Sequence, residues 1–205
     1  SIAAHDIDGD GDLDFALAAE WQPRERASKG SLHWLEQQPA GQWKLHHVAK
    51  LPGAHRIRWG DVDGDGQKEL IVLPLEGKAW VYYLPGWRAE PAAENLELAH
   101  NFFLEEMSNE AGLDIVMASK QGLETLTRQH DGTWTRHLTG EGQPGEVVLG
   151  RVNRYRVAAT IEAFHGDHLV IYEEPQPRLN PQGSPPPANF RPPLGTRWPR
   201  SHIDR

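Results

Sequence analysis

Two short acidic runs carry the clearest chemistry in this chain. They are Asp6-Ile7-Asp8-Gly9-Asp10-Gly11-Asp12-Leu13-Asp14 and Asp61-Val62-Asp63-Gly64-Asp65-Gly66-Gln67-Lys68-Glu69. Each places carboxylates at loop positions 1, 3, 5 and 9 and glycine at position 6, directly before a strand-like apolar run. Alternate acids in a tight turn converge on one point, and so many carboxylates in a small volume repel one another. A hard divalent cation that takes six to eight oxygen ligands relieves that repulsion, and calcium fits best. The expected ligand sets are Asp6, Asp8, Asp10, Asp12 and Asp14 in the first loop, and Asp61, Asp63, Asp65, Gln67 and Glu69 in the second. Asp12 and Gln67 would contribute through their backbone carbonyls. An EF-hand would need a Glu at position 12 and a following helix, whereas position 12 is Leu17 in one copy and Val72 in the other. Solvated Asp-Gly turns that bind nothing are the plainer alternative.

These loops belong to a repeat. Asp6 and Asp61 stand 55 residues apart, and a third copy follows 45 residues later, where Leu113-Asp114-Ile115-Val116-Met117-Ala118 echoes Leu13-Asp14-Phe15-Ala16-Leu17-Ala18. Its loop, Glu106 to Asp114, has lost acids and has Ala111 at position 6, and a fourth unit from Gly145 to Tyr172 has lost every loop acid. Ala54-His55 and Ala99-His100 each lie six residues ahead of a loop. A Trp followed by His recurs near unit ends, at Trp43 and His46, Trp134 and His137, and Trp198 and His202. This spacing implies that the chain starts inside a repeat and that Trp198 to Arg205 leads toward a further blade. The distal His46, His137 and His202 read as structural, because they follow a Trp that packs between blades.

Several short β-rich runs per unit, separated by Gly, Asp, Asn or Pro turns and without a convincing amphipathic helix, predict an all-β chain. Four short strands in about 45 residues is the arithmetic of a β-propeller blade. The expected architecture is a single propeller fragment over residues 1–205, with blade units at about 1–48, 49–98, 99–140 and 141–205. Residues 175–193 are Pro-rich and read as an extended surface loop.

The whole chain has 205 residues, a net charge of −8 and dispersed Lys and Arg, which argues against a nucleic-acid or anionic-membrane partner. No apolar run is long enough to span a bilayer, so membrane insertion is not expected. The absence of Cys excludes disulfides and thiolate chemistry. Open calcium loops fill best where calcium is abundant, so the expected location is extracellular or periplasmic.

The DxDGDG loop followed by a strand resembles the FG-GAP or VCBS repeat of calcium-binding β-propellers, which occurs in integrin α-subunit heads and many exported bacterial proteins. The runs Gly53-Ala54-His55-Arg56, Ala99-His100-Asn101-Phe102 and Ala159-Thr160-Ile161-Glu162-Ala163-Phe164-His165-Gly166 further resemble the propeller of the aldos-2-ulose dehydratase family. That likeness implies a seven-bladed propeller, about four blades of which are visible here, usually joined to cupin domains. It also implies a carbon–oxygen lyase that eliminates water from keto-sugars with metal help. His55, His100 and His165 would then line the ligand face, where imidazoles bind zinc or shuttle protons and a second metal, zinc or magnesium, acts as electrophile. A His or Glu162 would be the base. The competing function is a non-catalytic glycan- or protein-binding module with structural calcium, in which Trp21, Trp59, Trp80 and Trp87 stack on sugar rings.

Overall fold

Apolar runs bounded by Gly and Asp turns fold into short antiparallel strands in the computed structural model. It describes residues 1–22, 24–25, 29–163, 166–176, 192–193, 195 and 196–203. The strands form four sheets of four, each a simple meander in chain order. The first contains Ile2–His5 (β1), Asp14–Ala19 (β2), Ser31–Gln38 (β3) and Gln42–Lys50 (β4). The second contains Ala54–Gly60 (β5), Glu69–Pro74 (β6), Gly77–Tyr83 (β7) and Arg88–Leu96 (β8). Asn101–Glu105 (β9), Asp114–Ser119 (β10), Gly122–Arg128 (β11) and Trp134–Gly140 (β12) make the third. Glu146–Val152 (β13), Tyr155–Glu162 (β14), His168–Glu173 (β15) and Arg200–Ile203 (β16) make the fourth. Four-stranded antiparallel meanders repeated along the chain are propeller blades, and the all-β expectation holds.

The chain divides into two compact units, Ser1–His100 and Asn101–Arg205. In the first, Ala16, Ala18 and Leu32 of the first sheet pack with Ile57, Leu70 and Val72 of the second. In the second unit, Val116, Ala118 and Leu123 of the third sheet pack with Val147, Ala158 and Val170 of the fourth. The patterning follows from this packing. β2 buries every other residue, as a strand with one covered face should, while β6 and β10 are buried along their length and read as continuous apolar runs.

One expectation needs correction. Residues 200–203 do not lead toward another blade: β16 pairs with β15, Val170 opposite His202 and Ile171 opposite Ser201, and supplies the fourth strand of the fourth sheet. The preceding Trp198 is buried, its N–H donating to the Thr139 carbonyl, so a strand displaced far along the chain is anchored by packing. Trp59, Trp80 and Trp87 are half-buried against the first unit's core, while the marker residue Trp43, on the outermost strand, is 45% exposed. Of the expected surface loop 175–193, residues 177–191 lie outside the described residues.

Candidate metal centre

Each acidic loop connects the first and second strands of a sheet, β1 to β2 and β5 to β6. The two loops fold with the same backbone-to-carboxylate bonds, position by position. In the first, Asp6 accepts from the Gly9 and Gly11 N–H groups at 2.8 and 3.1 Å. In the second, Asp61 accepts from Gly64 and Gly66 at 2.6 and 3.0 Å. The Asp10 and Asp12 amides donate to Asp8 and Asp10 at 3.2 and 2.9 Å, and the Asp65 and Gln67 amides to Asp63 and Asp65 at 3.2 and 2.8 Å. Position 6 needs glycine because its φ is +96° at Gly11 and +90° at Gly66, in the left-handed region.

This winding gathers carboxylate oxygens. Those of Asp6, Asp8 and Asp10 lie within 4.8 Å of one another, as do those of Asp61, Asp63 and Glu69. Asp12, Asp14 and Asp65, also expected as ligands, lie outside these two groups. Partial desolvation, reinforced by the charges of Asp10, Asp14 and Glu36, raises the Asp8 carboxyl above its usual value. Glu69 is only 2% exposed, and burial first, then the charges of Asp63, Asp65 and Asp61, pushes it up to about 7. A carboxyl group raised by its neighbours' charge signals negative charge that a cation would neutralise. All-oxygen donors, clustered and partly reachable from solvent, fit a hard divalent ion such as calcium.

The closing acid at position 9 has a second role that sequence reasoning missed. Asp14 is buried and accepts from the Ile7 amide at 3.0 Å and from the Gln37 amide of β3 at 2.8 Å. Glu69 accepts from the Val62 amide at 2.9 Å. Asp114 does the same in the third loop, with Met107 and Ser108 amides at 2.7 Å each and the Ser108 hydroxyl at 3.1 Å. The clamp therefore survives in a loop that keeps only Glu106 and Glu110 of its other acids. In that third loop the left-handed residue is Gly112, one position later than in the acidic loops. Cations from the fourth sheet approach it: Arg151 pairs with Glu105 at 2.6 Å, and buried Arg156 donates to the Glu106 carbonyl at 2.6 Å and pairs with Glu174. The arginines in the sequence near 151–156 were the available signal.

The histidine set is only partly assembled. Trp21, His55 and His100 form a row in the first unit, with ring centres 4.8 and 4.6 Å apart. Arg56 Nε donates to the His100 carbonyl at 3.3 Å and holds that end of the row. His165 lies outside the described residues. Glu162, in the second unit, is buried and engaged by the Tyr172 hydroxyl at 2.6 Å, the Thr160 hydroxyl at 3.1 Å and Arg200 at 3.6 Å. Burial, with the bond to Glu162 and its charge, holds the Tyr172 hydroxyl well above its ordinary value. Of the distal histidines, His46 stacks on Trp34 at 4.3 Å and bonds Glu36 at 2.5 Å, which lowers the Glu36 carboxyl.

Residues 3–72, about a third of the chain, match the FG-GAP-like repeat family, a stretch that takes in both acidic loops and ends within the second sheet. It is 24% identical over 183 residues to aldos-2-ulose dehydratase of Phanerodontia chrysosporium, an alignment covering 71% of this chain and 20% of that protein. It is also 26% identical over 179 residues to ubiquitin carboxyl-terminal hydrolase 28 of Gallus gallus, covering 78% of this chain and 16% of that protein. The chain thus spans a fifth or less of these relatives, and the activities in their names differ. Among the described residues no helix is long and apolar enough to cross a membrane.

Proposed function

We propose that this chain is a calcium-clasped stretch of β-propeller belonging to a carbohydrate-active lyase that dehydrates keto-sugars. The observation that carries the metal reading is the convergence of three carboxylates in each of two loops built alike. One ion per loop would be held by Asp6, Asp8 and Asp10 with Asp14 behind them, and by Asp61, Asp63 and Glu69 with Asp65 beside them. Bound there, calcium neutralises the loop and ties the first strand of the blade to the second. Calcium abundance outside the cell favours an extracellular or periplasmic setting for such open loops.

The lyase reading rests on the likeness to aldos-2-ulose dehydratase and on the Trp21–His55–His100 row. Elimination beside a carbonyl needs a base for the carbon-bound proton and a donor or cation for the developing enolate oxygen. His55 or His100 would take the proton, and its neighbour would donate to the oxygen or help hold a zinc or magnesium ion. Further blades and cupin domains would complete the site. The test is turnover of a keto-sugar by the complete polypeptide with His55→Ala and His100→Ala. Loss of dehydration with the fold retained supports the role, and unchanged turnover refutes it.

The engagement of Glu162 by the Tyr172 and Thr160 hydroxyls, the Gln143 amide and Arg200 favours a second reading, a non-catalytic module that binds a glycan or protein. Retention of a glycan without chemical change, unaffected by the same histidine variants, would establish it.

A further inference from the structure

We propose that His33 and His47 form a two-imidazole site for a borderline divalent transition metal, separate from the acidic loops and from the His55–His100 row. His33 on β3 and His47 on β4 face each other directly across the ladder. Their ring centres are 5.2 Å apart and the planes meet at 66°. Two imidazoles bound to one tetrahedral ion, with metal–nitrogen bonds of about 2.0–2.1 Å, place their ring centres about 5 Å apart. The observed spacing therefore suits a shared ion without movement of either strand.

The hydrogen bonding prepares one nitrogen for that role. The Ser31 hydroxyl, on a residue only 2% exposed, lies 2.7 Å from His33 Nε2. His33 Nδ1 is buried and has no hydrogen-bond partner among the described residues. A buried polar atom left without a partner costs stability, and natural folds rarely keep one idle. With Nε2–H donating to the Ser31 oxygen, Nδ1 carries the lone pair, which is how an outer hydrogen bond selects the tautomer of a metal-binding histidine. Ser31 is thus a positioning residue and His33 the fixed ligand.

His47 is the exposed partner and borders a cleft shared with Ser31, Glu20, Lys29 and Lys50, so an ion there can exchange with solvent. Imidazole pairs suit zinc, nickel and copper and not calcium, which separates this site chemically from the loops. The two exposed lysines repel a cation only weakly through salt water. They favour an anionic co-ligand, such as a carboxylate, in the remaining coordination positions.

The test is calorimetric titration of the 205-residue chain with Ni²⁺ in saturating Ca²⁺, paired with electron paramagnetic resonance of the Cu²⁺-loaded protein. One Ni²⁺ equivalent should bind, and the Cu²⁺ spectrum should show two coupled nitrogens. Since losing even an outer-shell partner commonly costs about 10–100-fold in affinity, His47→Ala should cost at least that, and Ser31→Ala about tenfold. His55→Ala should leave the site intact. His47 is exposed, so its variant keeps the test valid even if His33→Gln fails to fold. Wild-type Ni²⁺ affinity in His47→Ala, or a Cu²⁺ spectrum unchanged by it, overturns the proposal.

Discussion

Glu69 sets a pH-dependent weakness in the metal-free protein that one substitution should remove. Its carboxyl is 2% exposed, accepts the Val62 amide and is raised from 4.5 to about 7, chiefly by burial. Between those values the folded protein holds a proton that the unfolded chain has released. Its stability therefore falls as pH rises through this window and levels off above it. A shift from 4.5 to about 7 corresponds to about 3 kcal/mol between pH 4.5 and pH 8 for one group. Glu69→Gln keeps an oxygen for the Val62 amide and deletes the charge. In chelator, the variant should therefore be more stable than the parent by up to about 3 kcal/mol at pH 8, and by no more than about 1 kcal/mol at pH 5. Urea unfolding at the two pH values, followed by tryptophan fluorescence, measures this directly. If the parent's stability at pH 8 equals or exceeds that of the variant in chelator, the assignment of Glu69 as a buried, charge-crowded carboxyl is wrong.

Two further outcomes follow from the same chemistry. Calcium requires ionised Glu69, so affinity at the second loop should drop about tenfold per pH unit below 7, while a Glu69→Gln protein loses that dependence along with most of the site, as calcium titrations at pH 6 and 8 would show. Asp114→Ala strands the buried Met107 and Ser108 amides and should cost about 3 kcal/mol in urea unfolding, by the same amount with calcium or with chelator. A cost that appears only in calcium would instead make the third loop a metal site.

What could be read from the residues alone was what is encoded locally. The acidic loops span nine residues, and their spacing, glycines and following apolar runs specify the turn without help from distant contacts, so both were legible. The blade count followed from periodicity for the same reason. Long-range pairing was harder. β16 joins β15 across a Pro-rich stretch, and nothing in Arg200-Ser201-His202-Ile203 announces a strand before its partner is in place. The same limit applied to Trp59, Trp80 and Trp87, whose partial burial depends on which sheet faces pack together. The closing acids were expected as ligands. Their clamp on the amide seven residues upstream emerged only from geometry, although the persistence of Asp114 in a loop with fewer acids and no glycine at position 6 was a clue already present in the sequence. The His33–His47 pair was invisible because a bulge between Leu32 and His33 sets the register that brings the rings together.

Two calcium clasps, one in each of the first two blades, are the core of the proposed function. Calorimetric titration of the intact chain with Ca²⁺ tests this most directly, read beside Asp10→Ala, Asp65→Ala and the double variant. Two equivalents are expected for the parent, one for each single variant and none for the double. Absence of calcium binding by the parent at millimolar concentration, or two equivalents retained by the double variant, would contradict it.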